Sequence, residues 1–123
     1  MVDAHISSTP ATDGPLTAAI SNAVVGLLRD FTGRGPTRAR TTIGSDTIVV
    51  TLRDSLTKAE RTLASRGQAL EVLAMRRAFQ DTMREDLIAA VEGIIGRKVE
   101  AFLSDNLYEP DVAVEIFLLV PLD

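Results

Sequence analysis

Cysteine is absent from this chain, which excludes disulfides, zinc–thiolate centres and cysteine nucleophiles together. Tryptophan is absent too. With one tyrosine, Tyr108, and four phenylalanines, the core must be built mainly from aliphatic side chains. Histidine occurs once, at His5 in a polar stretch; alone, it reads as a solvated side chain and not as a metal ligand. No metal or cofactor is therefore expected. The usual nucleophile–base pairs are also missing, so the chain is not expected to be an enzyme. No apolar run nears the roughly 20 residues that span a bilayer, and direct membrane insertion is not expected. The first residues lack the basic start and apolar core of a secretory leader. Nor is there an excess of positive charge. The net charge of −4 argues against a general nucleic-acid binder. What remains is a soluble cytoplasmic domain of 123 residues with a single modest core.

Residues 1–13 mix Ser, Thr, Pro and Asp without a period and are expected to form a flexible tail, leaving 14–123 as one domain. Pro15 suits the first position of a helix. Leu16, Ala19, Ile20, Ala23, Val24, Leu27, Leu28 and Phe31 follow at helical spacing until Gly33, a natural stop. Thr37 to Ile43 and Thr47 to Leu52 read as a β-hairpin around Gly44-Ser45-Asp46. Thr57 and Glu60 have the spacing of a capping box and open a short helix that breaks at Gly67.

The longest pattern runs from Gln68 to Ile95. Val72, Met75, Phe79, Met83, Leu87, Val91 and Ile94 recur at three and four residues, while Arg76, Arg77, Gln80, Asp81, Arg84, Glu85, Asp86 and Glu92 are assigned to the other faces. At about 1.5 Å per residue this helix is about 40 Å long, against a radius of gyration of about 14 Å for a compact chain of this size. The mismatch predicts that part of the stripe is left for a partner. Gly96 stops the helix. Lys98 to Ser104 is the third expected strand, 105–111 its loop, and Val112 to Val120 the last strand. That strand is apolar on both faces except at Glu115, which places it centrally. The expected fold is α+β in the order α-β-β-α-α-β-β: a four-stranded antiparallel sheet with the long central helix and the N-terminal helix on one face. Gly33-Arg34 and Gly96-Arg97 each precede a strand, a faint internal echo.

Three clusters are candidates for chemistry. Arg34, Gly35, Arg38 and Arg40 form a basic connector in which guanidinium forks and glycine N–H groups suit a phosphate or carboxylate; the bland alternative pairs Arg38 and Arg40 with Glu100 or Glu115 across the sheet. Asp105, Asn106, Glu109 and Asp111 lack the register of a calcium loop and read as a solvated turn. Along the long helix, Arg77 and Asp81 are spaced for an i+4 pair. Arg77, Met83, Arg84 and Leu87 are the residues expected to line the interface of a homodimer.

Several separated motifs in order resemble one family. They are Gly33-Arg34-Gly35-Pro36-Thr37-Arg38-Ala39-Arg40, Leu56-Thr57-Lys58-Ala59-Glu60, Phe79-Gln80-Asp81-Thr82-Met83-Arg84-Glu85, and Gly96-Arg97-Lys98-Val99 with Phe102-Leu103-Ser104-Asp105-Asn106. Together, over Leu16 to Val120, they are similar to the MpsC-like family, a small soluble domain named for a sodium-translocating, membrane-potential-generating system. The resemblance implies a peripheral or regulatory component of a bacterial membrane system for cation or inorganic-carbon transport, with a membrane transport protein as partner. It transfers no catalytic residues. The function expected is a non-enzymatic accessory or regulatory interaction domain; the alternatives are a small-anion or nucleotide sensor at Arg34, Arg38 and Arg40, and a carboxylate hydrolase.

Overall fold

The structure, a computed structural model, describes residues 14–122; the expected N-terminal tail, with His5, lies outside the described residues. Helix α1 (Pro15–Thr32) starts on a proline after Gly14 and ends on Gly33 in the left-handed conformation, φ 83°. Strands β1 (Arg38–Ile43) and β2 (Thr47–Arg53) form the first hairpin. Helix α2 (Lys58–Ser65) opens on the complete capping box: the Thr57 hydroxyl accepts from Glu60 N–H, and the Glu60 carboxylate accepts from Thr57 N–H. Helix α3 (Ala69–Ile95) ends on Gly96, φ 71°. Strands β3 (Val99–Leu107) and β4 (Val112–Leu119) close the domain.

The sheet is antiparallel throughout with strand order β1-β2-β4-β3, so β4 is central as its two-sided apolar pattern requires. Both long helices pack on one face, α1 against β1 and α3 against β3, and they pack on each other. Alternation along β2 and β4 sends Ile48, Val50, Leu52, Ala113, Phe117 and Leu119 toward the helices. They meet Ile20, Val24 and Leu28 of α1 and Met83, Leu87 and Val91 of α3 in one core. Burying each such large side chain contributes about 1.5–3 kcal/mol.

Strand β3 runs three residues further than its sequence pattern suggests. Asp105 and Asn106 are polar, yet they sit on an edge strand where alternate side chains meet solvent. The expected loop 105–111 is thus shortened to 108–111, and the Asp111 carboxylate in it accepts from Ser55 N–H and Leu56 N–H. The echo between the halves has a structural counterpart. Arg34, just past α1, donates to Asp54 O at the end of β2; Arg97, just past α3, donates to Val120 O at the end of β4. Each also forks onto an aspartate, Arg34 to Asp54 at 3.1 Å and Arg97 to Asp46 at 2.8 Å.

Candidate functional site

Among the described residues, helices cover only one side of the sheet. On the other side the register brings three rows of side chains level across the four strands: Arg38, Arg53, Val112 and Leu107; Arg40, Thr51, Val114 and Asp105; Thr42, Val49, Ile116 and Leu103. The middle of this open face is apolar. Val49, Val112, Val114, Ile116 and Leu118 are half-buried by their neighbours alone, and Leu103 and Leu107 are each 54 % exposed. A contiguous apolar face of this kind, bordered by charges, is the ordinary signature of a contact surface.

The same face carries charged side chains toward both edges. Toward the β1 edge stand Arg38 and Arg40 of β1 and Arg53 of β2, none of which makes a salt bridge among the described residues. Arg38 is the direct register partner of Arg53, a like-charge pairing that destabilises an isolated sheet. These arginines line an open cleft of about 840 Å³ that wraps the β1 edge and continues to Thr17, Ala18 and Ser21 of α1. At the β3 edge stands Asp105, its side chain 79 % exposed, with Arg77 at 3.7 Å.

Arg38 and Arg40 of the expected anion set therefore come together, joined by Arg53, which the sequence pattern does not single out. Arg34 and Gly35 do not join them. The Arg34 guanidinium turns into the loop before α2, where it donates to Asp54 Oδ2, Asp54 O and Leu56 O. With Thr37 and Arg34 donating to it, the Asp54 carboxyl is held below its ordinary pKa. Gly35 packs against α1, where an added Cβ would lie 3.1 Å from Val25 Cγ1. The pairing of Arg38 or Arg40 with Glu100 or Glu115 does not occur among the described residues, because Glu115 alternates onto the helix side.

The expected interface set is also redistributed. Met83 and Leu87 lie in the protein's own core. Arg77 donates to Ser104 O at 3.1 Å and not to Asp81. Arg84 donates to Phe102 O at 3.3 Å, with its guanidinium 5.5 Å from the Phe102 ring centre. The long stripe is thus enclosed by a single copy of the chain at Val72, Met83, Leu87 and Val91. The large α3 apolar side chains left exposed are Leu70, at 79 %, and Met75, at 40 %.

A second polar feature lies inside the domain. Arg76 and Gln80 point inward, only 4 % and 5 % exposed, because they continue the line from Val72 to Met83 at steps of three and four. Arg76 pairs with buried Glu60 at 3.3 Å and donates to Ser55 Oγ at 2.7 Å. Gln80 Nε2 donates to Glu115 Oε1 at 3.4 Å, while Gln80 Oε1 and Glu115 Oε2 have no hydrogen-bond partner among the described residues. Both residues line a space of about 10 Å³ with Thr32, Asn106 and Arg76, close to the size of one water site. Burial pushes the Glu115 carboxyl up to about 7, against the opposing pull of Ser104, Gln80 and Arg76. Ser104 stands directly opposite in β3, although its Oγ makes no hydrogen bond of standard geometry. Among the described residues no group of three or more His, Asp or Glu is placed to hold a metal ion, and no helix is long and apolar enough to cross a membrane.

The family model described as "Na+-translocating membrane potential-generating system (MpsC)" matches residues 12–120. A relative in Bacillus subtilis (strain 168), "Uncharacterized protein YbcI", is 29 % identical over 107 residues, which is 86 % of each chain. No solved structure matches.

Proposed function

The chain belongs to the MpsC family, and we propose that it is a non-enzymatic accessory domain of a membrane-potential-generating system, working from the cytoplasmic side by protein contact. The observation that carries this reading is the open face of the sheet, an apolar centre between arginines at one edge and the exposed Asp105, beside Arg77, at the other. Such a surface has the anatomy of an interface: a dry core and a charged rim that sets orientation. The family description, which names a membrane-potential-generating system, supports a contact with such a system. Capture from detergent-solubilised membranes tests it. The wild-type chain recovers an integral membrane protein, and Ile116→Lys, folded by circular dichroism, does not. Equal recovery by both, or turnover of ester or phosphoester substrates, contradicts the reading.

A second reading has its own observation. Arg38 opposite Arg53, with Arg40 two residues on, is a set of guanidinium groups suited to a phosphate, a carboxylate or a nucleotide's phosphates. An anion in the cleft would relieve their mutual repulsion, and the domain would then act as a sensor.

A further inference from the structure

We propose that the open face of the sheet is closed by a second copy of this chain, the two sheets packed face to face about a two-fold axis parallel to the strands. The inference rests on the contact reading above; the second copy and the membrane protein are alternative occupants of the face, and the copy fills it when the membrane protein is absent.

Strand register sets the geometry. Arg40, Thr51, Val114 and Asp105 are successive register partners across the sheet, so Arg40 on one edge and Asp105 on the other stand level along the strand direction. A two-fold axis parallel to the strands, midway between β2 and β4, keeps each row level and reverses the strand order. It lays β1 over the partner's β3 and β2 over its β4. Arg40 then faces the partner's Asp105, and Asp105 faces the partner's Arg40, so one contact occurs twice. Arg38 and Arg53, at the end of the face, lie over the partner's Leu107 and Val112, the last level row before the 108–111 loop. Val49, Val114, Ile116 and Leu103 fill the middle. Two sheets packed this way cross at about 30°, a displacement that long arginine side chains can span.

The competing in-plane axis, across the strands, sets β1 on the partner's β1. It turns Arg40 toward the partner's Thr42 and Asp105 toward the partner's Leu103, so neither meets an opposite charge on the partner. The face is self-complementary in charge about the first axis only.

Size fits a reversible dimer. Four strands about 4.8 Å apart, with side chains on one face recurring about every 6.8 Å, give a face on the order of 450 Å² per copy. Standard stable interfaces bury about 800 Å² per partner. A dimer on this face is therefore weak and concentration-dependent.

Charge reversal tests the pairing. Asp105 is highly exposed and Arg40 is exposed, so Arg40→Asp and Asp105→Arg leave the fold intact, as thermal melts of each variant verify. Sedimentation velocity across the micromolar range is expected to show a dimer for the wild type, and each single reversal raises the dissociation constant by about tenfold or more. An equimolar mixture of the two variants associates again, as does the double variant, because each restores opposite charges at both contacts. A wild type that stays monomeric overturns the inference; if membrane capture is still lost in Ile116→Lys, the contact reading stands and the face meets a different protein. A dimer indifferent to both reversals also overturns it.

Discussion

Arg38 and Arg53 are direct partners in the β1–β2 ladder, two cations side by side on the open face with no salt bridge to either among the described residues. Arg34, four residues before Arg38, is instead tied to Asp54 and to the loop carbonyls around it. Anion binding at the cleft therefore depends on Arg38 and Arg53 and not on Arg34. Thermal shifts with phosphate, bicarbonate or a nucleotide are expected to vanish in Arg38→Ala and Arg53→Ala. Arg34→Ala lowers the starting melting temperature and keeps the shift. A shift lost only in Arg34→Ala contradicts the assignment.

Replacing Arg53 also tests the like-charge pair. With no anion or partner bound, Arg53→Thr removes repulsion across the ladder and places a good strand former there. The expected gain is a few tenths of a kcal/mol, up to about 1, measured by urea denaturation at low protein concentration and low salt. A loss of more than about 1 kcal/mol would mean that Arg53 holds a structural contact.

Glu115 makes stability depend on pH in an unusual direction for a carboxyl group. Its folded pKa is raised from 4.5 to about 7, so the folded state holds a proton that the unfolded chain releases. The stability this contributes is fully present below about pH 4.5 and is lost as pH rises through 7, by about 3 kcal/mol in all. Glu115→Gln keeps the shape and removes the titration. The difference in unfolding free energy between the variant and the wild type should grow between pH 5 and 8 in favour of the variant. A difference that stays flat across that range contradicts the buried, protonated carboxyl.

The Arg76–Glu60 pair is enclosed by protein on both sides. Arg76→Ala leaves the Glu60 carboxylate buried without its cation and Ser55 Oγ without its donor. A loss of about 3–5 kcal/mol is expected, read from urea denaturation. A loss under about 1 kcal/mol would mean that water reaches the pair.

The sequence states much of this fold outright. The caps are legible because Thr57 with Glu60, Gly33 and Gly96 each has one local job, and local geometry settles it. Central placement of β4 follows from apolar residues on both its faces. That same pattern calls for a cover on each side of the sheet, and the described residues supply only one. The long-helix stripe is a poorer guide to the uncovered surface, since the core takes in Met83 and Leu87. Polarity assigns Arg76 and Gln80 to solvent, yet their spacing from Val72 sets them on the buried face. Arg53 is hidden from sequence reading because its neighbour Arg38 is fixed by hairpin register, which depends on the turn and not on the strand's own residues. The two-edged charge of the open face is legible only once the strand order is known.

If the open face of the sheet is a contact surface, its middle is where a charge does most harm, and Ile116 lies there beside Val49 and Leu103. Ile116→Lys places a charge at that point while the lysine stem still covers neighbouring apolar atoms, so the domain keeps its fold. Sedimentation velocity on wild type and variant at matched micromolar concentrations reads the result without intermediaries. An associating wild type and a folded, strictly monomeric Ile116→Lys are expected. Identical sedimentation of the two, with membrane capture also unchanged, would contradict the contact surface.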